Sequence, residues 1–197
     1  MRPLIKDLGS LEIMVEILKD LSELCLADER QKLFVADFDE VTGACRHWGI
    51  EDVYHEAASI ELSVNVPDKI KSHFATALNL LVYSWFYYPF NVTAQFMAYT
   101  TVELALKEKY GVKRYSKKSS FRTLLDRAVK DGLIKSKGFS HIQNKSSYVP
   151  YLGAELHSSG EQDYCDVLVE ALPYLRNQLA HGSPMLHPNG GKSVRIC

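Results

Sequence analysis

Residues 175–183 read Leu-Arg-Asn-Gln-Leu-Ala-His-Gly-Ser. They place Arg176, Asn177 and His181 at the end of an apolar helical run that Gly182 stops. Each residue type has a distinct capacity. Arginine stays charged and grips a phosphate through two N–H groups. Histidine, with an ordinary pKa of about 6.5, gives and takes protons near neutral pH. Asparagine can orient a ribose hydroxyl or the imidazole. Together they can cleave RNA without a metal: a base activates the 2′-hydroxyl, an acid protonates the leaving 5′-oxygen, and arginine stabilises the charged phosphorane.

Helical geometry constrains this chemistry. At about 100° per residue, Asn177 and His181 share a face, whereas Arg176 and His181 point about 140° apart. A single regular helix therefore does not bring arginine and histidine together. Two copies packed against each other can, forming a two-fold composite site. A purely structural role fits the same residues. A C-terminal histidine meets the helix dipole and the free carbonyls, and Arg176 can pair with an acid such as Glu103 and do nothing else.

The elements that must position these residues read as helices. Residues 10–27 place leucines and other apolar residues at helical spacing with acids opposite, and Ser10 is a candidate cap. A further helix is expected to start near Phe34, and others over 51–61, 69–88, 91–110 and 120–133. The last helix, 161–181, contains Pro173 and is expected to kink or restart there. Residues 135–147 read as loop. With no convincing strand alternation, the expected class is all-α, a helical bundle. The aromatic run at 83–90 reads as core or dimer surface.

At 197 residues and 46% apolar, the chain can bury a sizeable core as one domain with an extension. Acids interrupt the N-terminal apolar residues before a signal-peptide core forms. The nearest approach to a spanning segment, 74–90, stops at Pro89, so no membrane association is expected. Cys25, Cys45, Cys165 and Cys197 form no Cys-x-x-Cys pair, and the histidines at 47, 55, 73, 141 and 157 have no metal-ligand spacing. No metal or cofactor is expected, and the cytoplasm is the expected location. His187, in a Pro/Gly-rich tail, reads as solvent-exposed. The Gly-Gly-Lys-Ser at 190–193 lacks both the upstream glycine and a following helix, so it is no phosphate loop.

The near-neutral net charge of −1 conceals segregation: residues 1–70 carry 15 acids against 7 bases, and residues 107–145 carry 12 bases against 3 acids. A basic segment between core helices suits a phosphate backbone. Lys113, Arg114, Lys117, Lys118 and Arg122 are the candidate RNA contacts, with Tyr110, Tyr115, Phe121 and Phe139 able to stack on bases. A solvated loop, or pairing with the acidic N-terminal residues, fits the same charges.

The Arg-Asn-Gln-Leu-Ala-His stretch resembles the R-x4-6-H pattern of the HEPN superfamily (higher eukaryotes and prokaryotes nucleotide-binding). Residues 98–111, with Glu103, resemble that family's earlier acidic helix, and 120–134 follow in the family's order. The resemblance covers roughly residues 70–187. It divides the chain into an acidic helical extension, 1–69, and a HEPN-like domain, 70–197. It implies a four-helix core that dimerises through its last helix, often a metal-independent ribonuclease. Arg176 would stabilise the phosphate, Asn177 would support it, His181 would transfer protons and Glu103 would hold Arg176. Ser183 stands where one branch carries a tyrosine open to modification, so regulation of that kind is not expected. The implied setting is prokaryotic defence, stress response or a toxin system with an inhibitory protein partner. A non-catalytic domain binding RNA, a nucleotide or a protein is the alternative, and a helical interaction module using residues 1–69 is the third reading.

Overall fold

A computed structural model describes residues 16–39, 41–112, 120–139 and 164–182. They are mostly helical: α1 (Ile50–Ala58), α2 (Asp68–Tyr83), α3 (Phe90–Lys109), α4 (Phe121–Lys130) and α5 (Tyr164–Ala180), with short 3-10 turns between. The fold is all-α, a helical bundle, as the periodicity predicts.

The four long helices begin and end for local reasons. Pro67, with φ already fixed, precedes α2, and Asp68 lies in its first turn. Helix α2 closes where the Ser84 hydroxyl donates to the Leu81 carbonyl at 2.6 Å. A turn through Pro89 then reverses the chain into α3. Ser120 caps α4, its hydroxyl accepting from the Thr123 N–H at 3.2 Å. At the other end of α4, Gly132 adopts φ +69°. That left-handed turn lets Leu133 N–H reach the Ala128 carbonyl at 2.9 Å.

Packing divides into two clusters joined by α3. Helices α2 and α3 lie against each other over most of their length, and Ala77, Ala94 and Ala98 are fully buried where they meet. Small side chains there allow close approach, and Phe74 and Leu81 fill the flanks together with Ala57 of α1. The second cluster gathers Tyr99 and Leu106 of α3, Phe121, Leu124, Leu125 and Ala128 of α4, and Leu168 and Leu172 of α5. Because α3 serves both clusters, apolar residues surround it instead of forming one stripe. Helix α5 runs through Pro173 as a single helix, without the restart that the proline allows, and buries the proline with Leu168 and Leu172.

The N-terminal third departs from expectation twice. Residues 16–20 form no helix, and a 3-10 turn occupies Leu21–Glu23, where the Asp20 carboxylate accepts from Ser22. The leucine spacing is helical, but Ile17, Leu18 and Leu21 stay exposed, and an amphipathic helix needs a surface on which to bury its apolar face. Residues 10–15 of that expected helix lie outside the described residues. The helix expected near Phe34 is instead a β-hairpin, with β1 (Val35–Phe38) antiparallel to β2 (Cys45–His47). Asp39 accepts from the Val41 and Thr42 N–H groups at 2.8 and 3.1 Å, and Gly43 supplies φ +71°. Those two residues make a tight turn that a helix cannot cross.

This segment is latched to the α2–α3 turn. Gln31 donates to the Ser84 carbonyl at 2.8 Å, Lys19 to the Phe86 carbonyl at 2.9 Å, and Tyr88 N–H to the Asp28 carboxylate at 2.9 Å. The Arg30 guanidinium lies 4.9 Å from the Tyr88 ring centroid and chelates Asp28. Burial alone would raise the Asp28 carboxyl, but hydrogen bonds from Arg30 and from the Tyr88 and Arg30 N–H groups outweigh it and hold it at about 2.

Candidate functional site at the end of the last helix

The inner face of α5 carries Arg176 against α3. Its Nη2 lies 2.9 Å from Glu103 Oε2, and the other carboxylate oxygen, Oε1, accepts from Lys107 Nζ at 2.5 Å. Glu103 thus holds two cations, one on each oxygen. Its side chain is 14% exposed and that of Arg176 24%, so the group is sheltered but open to solvent on one side. The Arg176 guanidinium also sits 5.8 Å from the Phe121 ring centroid, which narrows its orientations. Its Nε is buried and, among the described residues, has no acceptor. An acceptor oxygen delivered at this point would complete the hydrogen bonding of the guanidinium.

His181 occupies the other side of the same helix end. It is exposed, and its N–H closes the last turn on the Asn177 carbonyl at 3.0 Å. Gly182, with φ +78°, leaves the helix in the left-handed region and donates to the Leu179 carbonyl at 3.2 Å. Asn177 is exposed beside His181, and Tyr174 and Gln178 continue that outward face. The structure therefore brings Arg176 to Glu103, places Asn177 with His181, and keeps the two pairs on different faces of α5. Among the described residues nothing in the single chain bridges them.

Of the basic candidates, Lys113, Arg114, Lys117 and Lys118 lie outside the described residues. Arg122, in the first turn of α4, is ion-paired with Glu170 of α5. Lys107, which the sequence offers as part of a basic segment and of a helix C-terminus, is a further participant. Its signal was present as an acid–base pair four residues apart on one helix. Among the described residues, no three His, Cys, Asp or Glu side chains group as metal ligands, and no helix is long and apolar enough to cross a membrane. No protein-family description, curated protein or solved structure matches the chain.

Proposed function

We propose that the protein is a HEPN-like, metal-independent endoribonuclease, cytoplasmic, whose site forms when two chains pair through α5. The observation that carries this reading is the split geometry of α5. Arg176, held by Glu103 and with no acceptor at Nε among the described residues, faces inward, while His181, a residue type able to transfer protons, lies exposed at the same helix end. A second copy related by a two-fold axis along this helix end puts both pairs at one cleft. One His181 then takes the proton of the 2′-hydroxyl as that oxygen attacks phosphorus. The 5′-oxygen leaves with a proton from the imidazolium of the other copy, and a 2′,3′-cyclic phosphate remains. Arg176 holds the non-bridging oxygens while charge develops on them. Asn177, one turn before His181, supports the imidazole. Prokaryotic defence or a toxin system with an inhibitory partner is the setting that the motif suggests.

The test is incubation of mixed single-stranded RNA with the protein in EDTA, beside His181→Ala and Arg176→Ala. Cyclic-phosphate ends that disappear in both variants support the reading, and undiminished cleavage by the double variant overturns it. A second reading, an RNA- or nucleotide-binding module without catalysis, is favoured by one observation: Arg176 is already neutralised by Glu103 within the chain. RNA retention by a dimeric protein without any product would select it.

A further inference from the structure

Among the described residues, one apolar face is uncovered. Residues 16–26 cross the α2–α3 turn as a fixed ribbon: Lys19 donates to the Leu26 and Phe86 carbonyls at 3.0 and 2.9 Å, and Glu16 pairs with Arg30 at 2.5 Å. Held in this way, the ribbon turns its aliphatic side chains outward. Ile17 is 77%, Leu18 95% and Leu21 84% exposed. An open groove of about 650 Å³ runs between the ribbon and residues 83–90, walled by Ile17, Leu18 and Leu24 with Tyr83, Phe86 and Phe90.

We propose that this face is an interface with a second copy of the same chain, seated face to face about a two-fold axis. Three observations select a copy of the chain as occupant. First, the patch carries both halves of a complementary fit, the protruding Leu21 and the groove, which Leu21 does not line. An isologous contact requires this of one surface, since each copy must offer the knob that fills the other's hole. Second, the exposed fractions of Ile17, Leu18, Leu21, Leu24, Leu26 and Tyr83 amount to roughly 700 Å², close to the ~800 Å² that each partner brings to a standard interface. An uncovered patch of that extent is unusual on a monomer. Third, the charges at and beneath the groove balance within one chain, Glu16 and Asp28 against Arg30 and Lys19. A two-fold axis sets like residues opposite each other, and a lining with no net charge neither repels its copy as a whole nor selects a basic or acidic partner. The inference stands independently of the ribonuclease reading.

Cys25 provides the probe, because it lines the groove and is exposed, whereas Cys165 is buried. In the full chain with Cys45→Ser and Cys197→Ser, maleimide labelling of Cys25 is followed beside sedimentation velocity over a wide range of concentration. The expected result is labelling that slows several-fold as the mass rises. Leu18→Glu with Leu21→Glu, both at the surface, should restore fast labelling and lower the mass without changing the helical circular dichroism. Labelling that is independent of concentration overturns the proposal. So does slow labelling at every concentration that Leu11→Glu with Met14→Glu releases, which would assign the groove to the chain's own N-terminal residues. Association that survives Leu18→Glu with Leu21→Glu but is lost in Tyr174→Asp also overturns it, by placing the contact on α5.

Discussion

Glu103 decides how Arg176 stands, and its replacement tests that role directly. Glu103→Gln keeps the shape but leaves Arg176 and Lys107, both sheltered, without their shared counter-charge. A loss of about 1–3 kcal/mol in urea unfolding is expected, because removing one partner of a sheltered pair strands the others. In the same variant RNA cleavage should fall more than RNA binding, since the arginine would remain charged but lose its aim. Asp28 offers a second test, through pH. Its carboxyl is held at about 2 in the fold, below the ~3.9 of an unfolded aspartate. The stabilisation it gives is therefore complete above about pH 4 and is lost as pH falls toward about 2. Asp28→Asn should flatten that part of the acid limb in urea midpoints measured between about pH 5 and pH 2. The pairing of Glu103 with Arg176 is what the resemblance of residues 98–111 to an acidic helix implies; helical spacing alone does not select Glu103 among the acids. The sharing of Glu103 with Lys107 is not legible, because Lys107 reads as part of a basic helix end until the fold shows what it touches.

The helices α2 to α5 were legible because their signals agree at every level: an apolar stripe, a proline or serine at the start, a glycine just past the end. Two predictions follow that logic. Ser120→Ala removes the hydroxyl that accepts from Thr123 and should cost about 1 kcal/mol. Leu125→Ala, at a nearly sealed position between α3, α4 and α5, should cost about 2–5 kcal/mol. Thermal unfolding of each beside the unchanged protein measures both. The N-terminal third was misread for the converse reason. Leucine spacing over 10–27 carries the helical period, yet in the described part of that stretch the leucines find nothing to pack on. In the hairpin, the turn chemistry of Asp39 and Gly43 outweighs a short apolar run whose period is ambiguous. Spacing reports what a segment is able to bury, not whether the fold supplies a surface to receive it.

At the scale of the whole molecule, the proposed site belongs to two chains, and its activity should betray that. Below the dissociation constant of the α5 pairing, cleavage per milligram is expected to rise in proportion to protein concentration, then to level off. Tyr174→Asp, which places charge on the outward face of α5 two turns before His181, should lower cleavage while leaving the unfolding midpoint unchanged. Activity assayed across a dilution series checks both. If the leucine-rich face also pairs, each chain carries two separate two-fold contacts, and the association state will follow whichever is stronger at a given concentration. The latch between the N-terminal segment and the α2–α3 turn bears on how relatives of this chain can diverge. Gln31, Lys19 and Asp28 reach the Ser84 and Phe86 carbonyls, which every residue type possesses, and the Tyr88 N–H, which only proline lacks. For this latch, substitutions at 84 and 86 are tolerated as long as the backbone path survives, while positions 19, 28 and 31 have few replacements. Descent should therefore leave a clearer trace at 19, 28 and 31 than at 84 and 86, while Tyr88, whose ring meets Arg30, should persist.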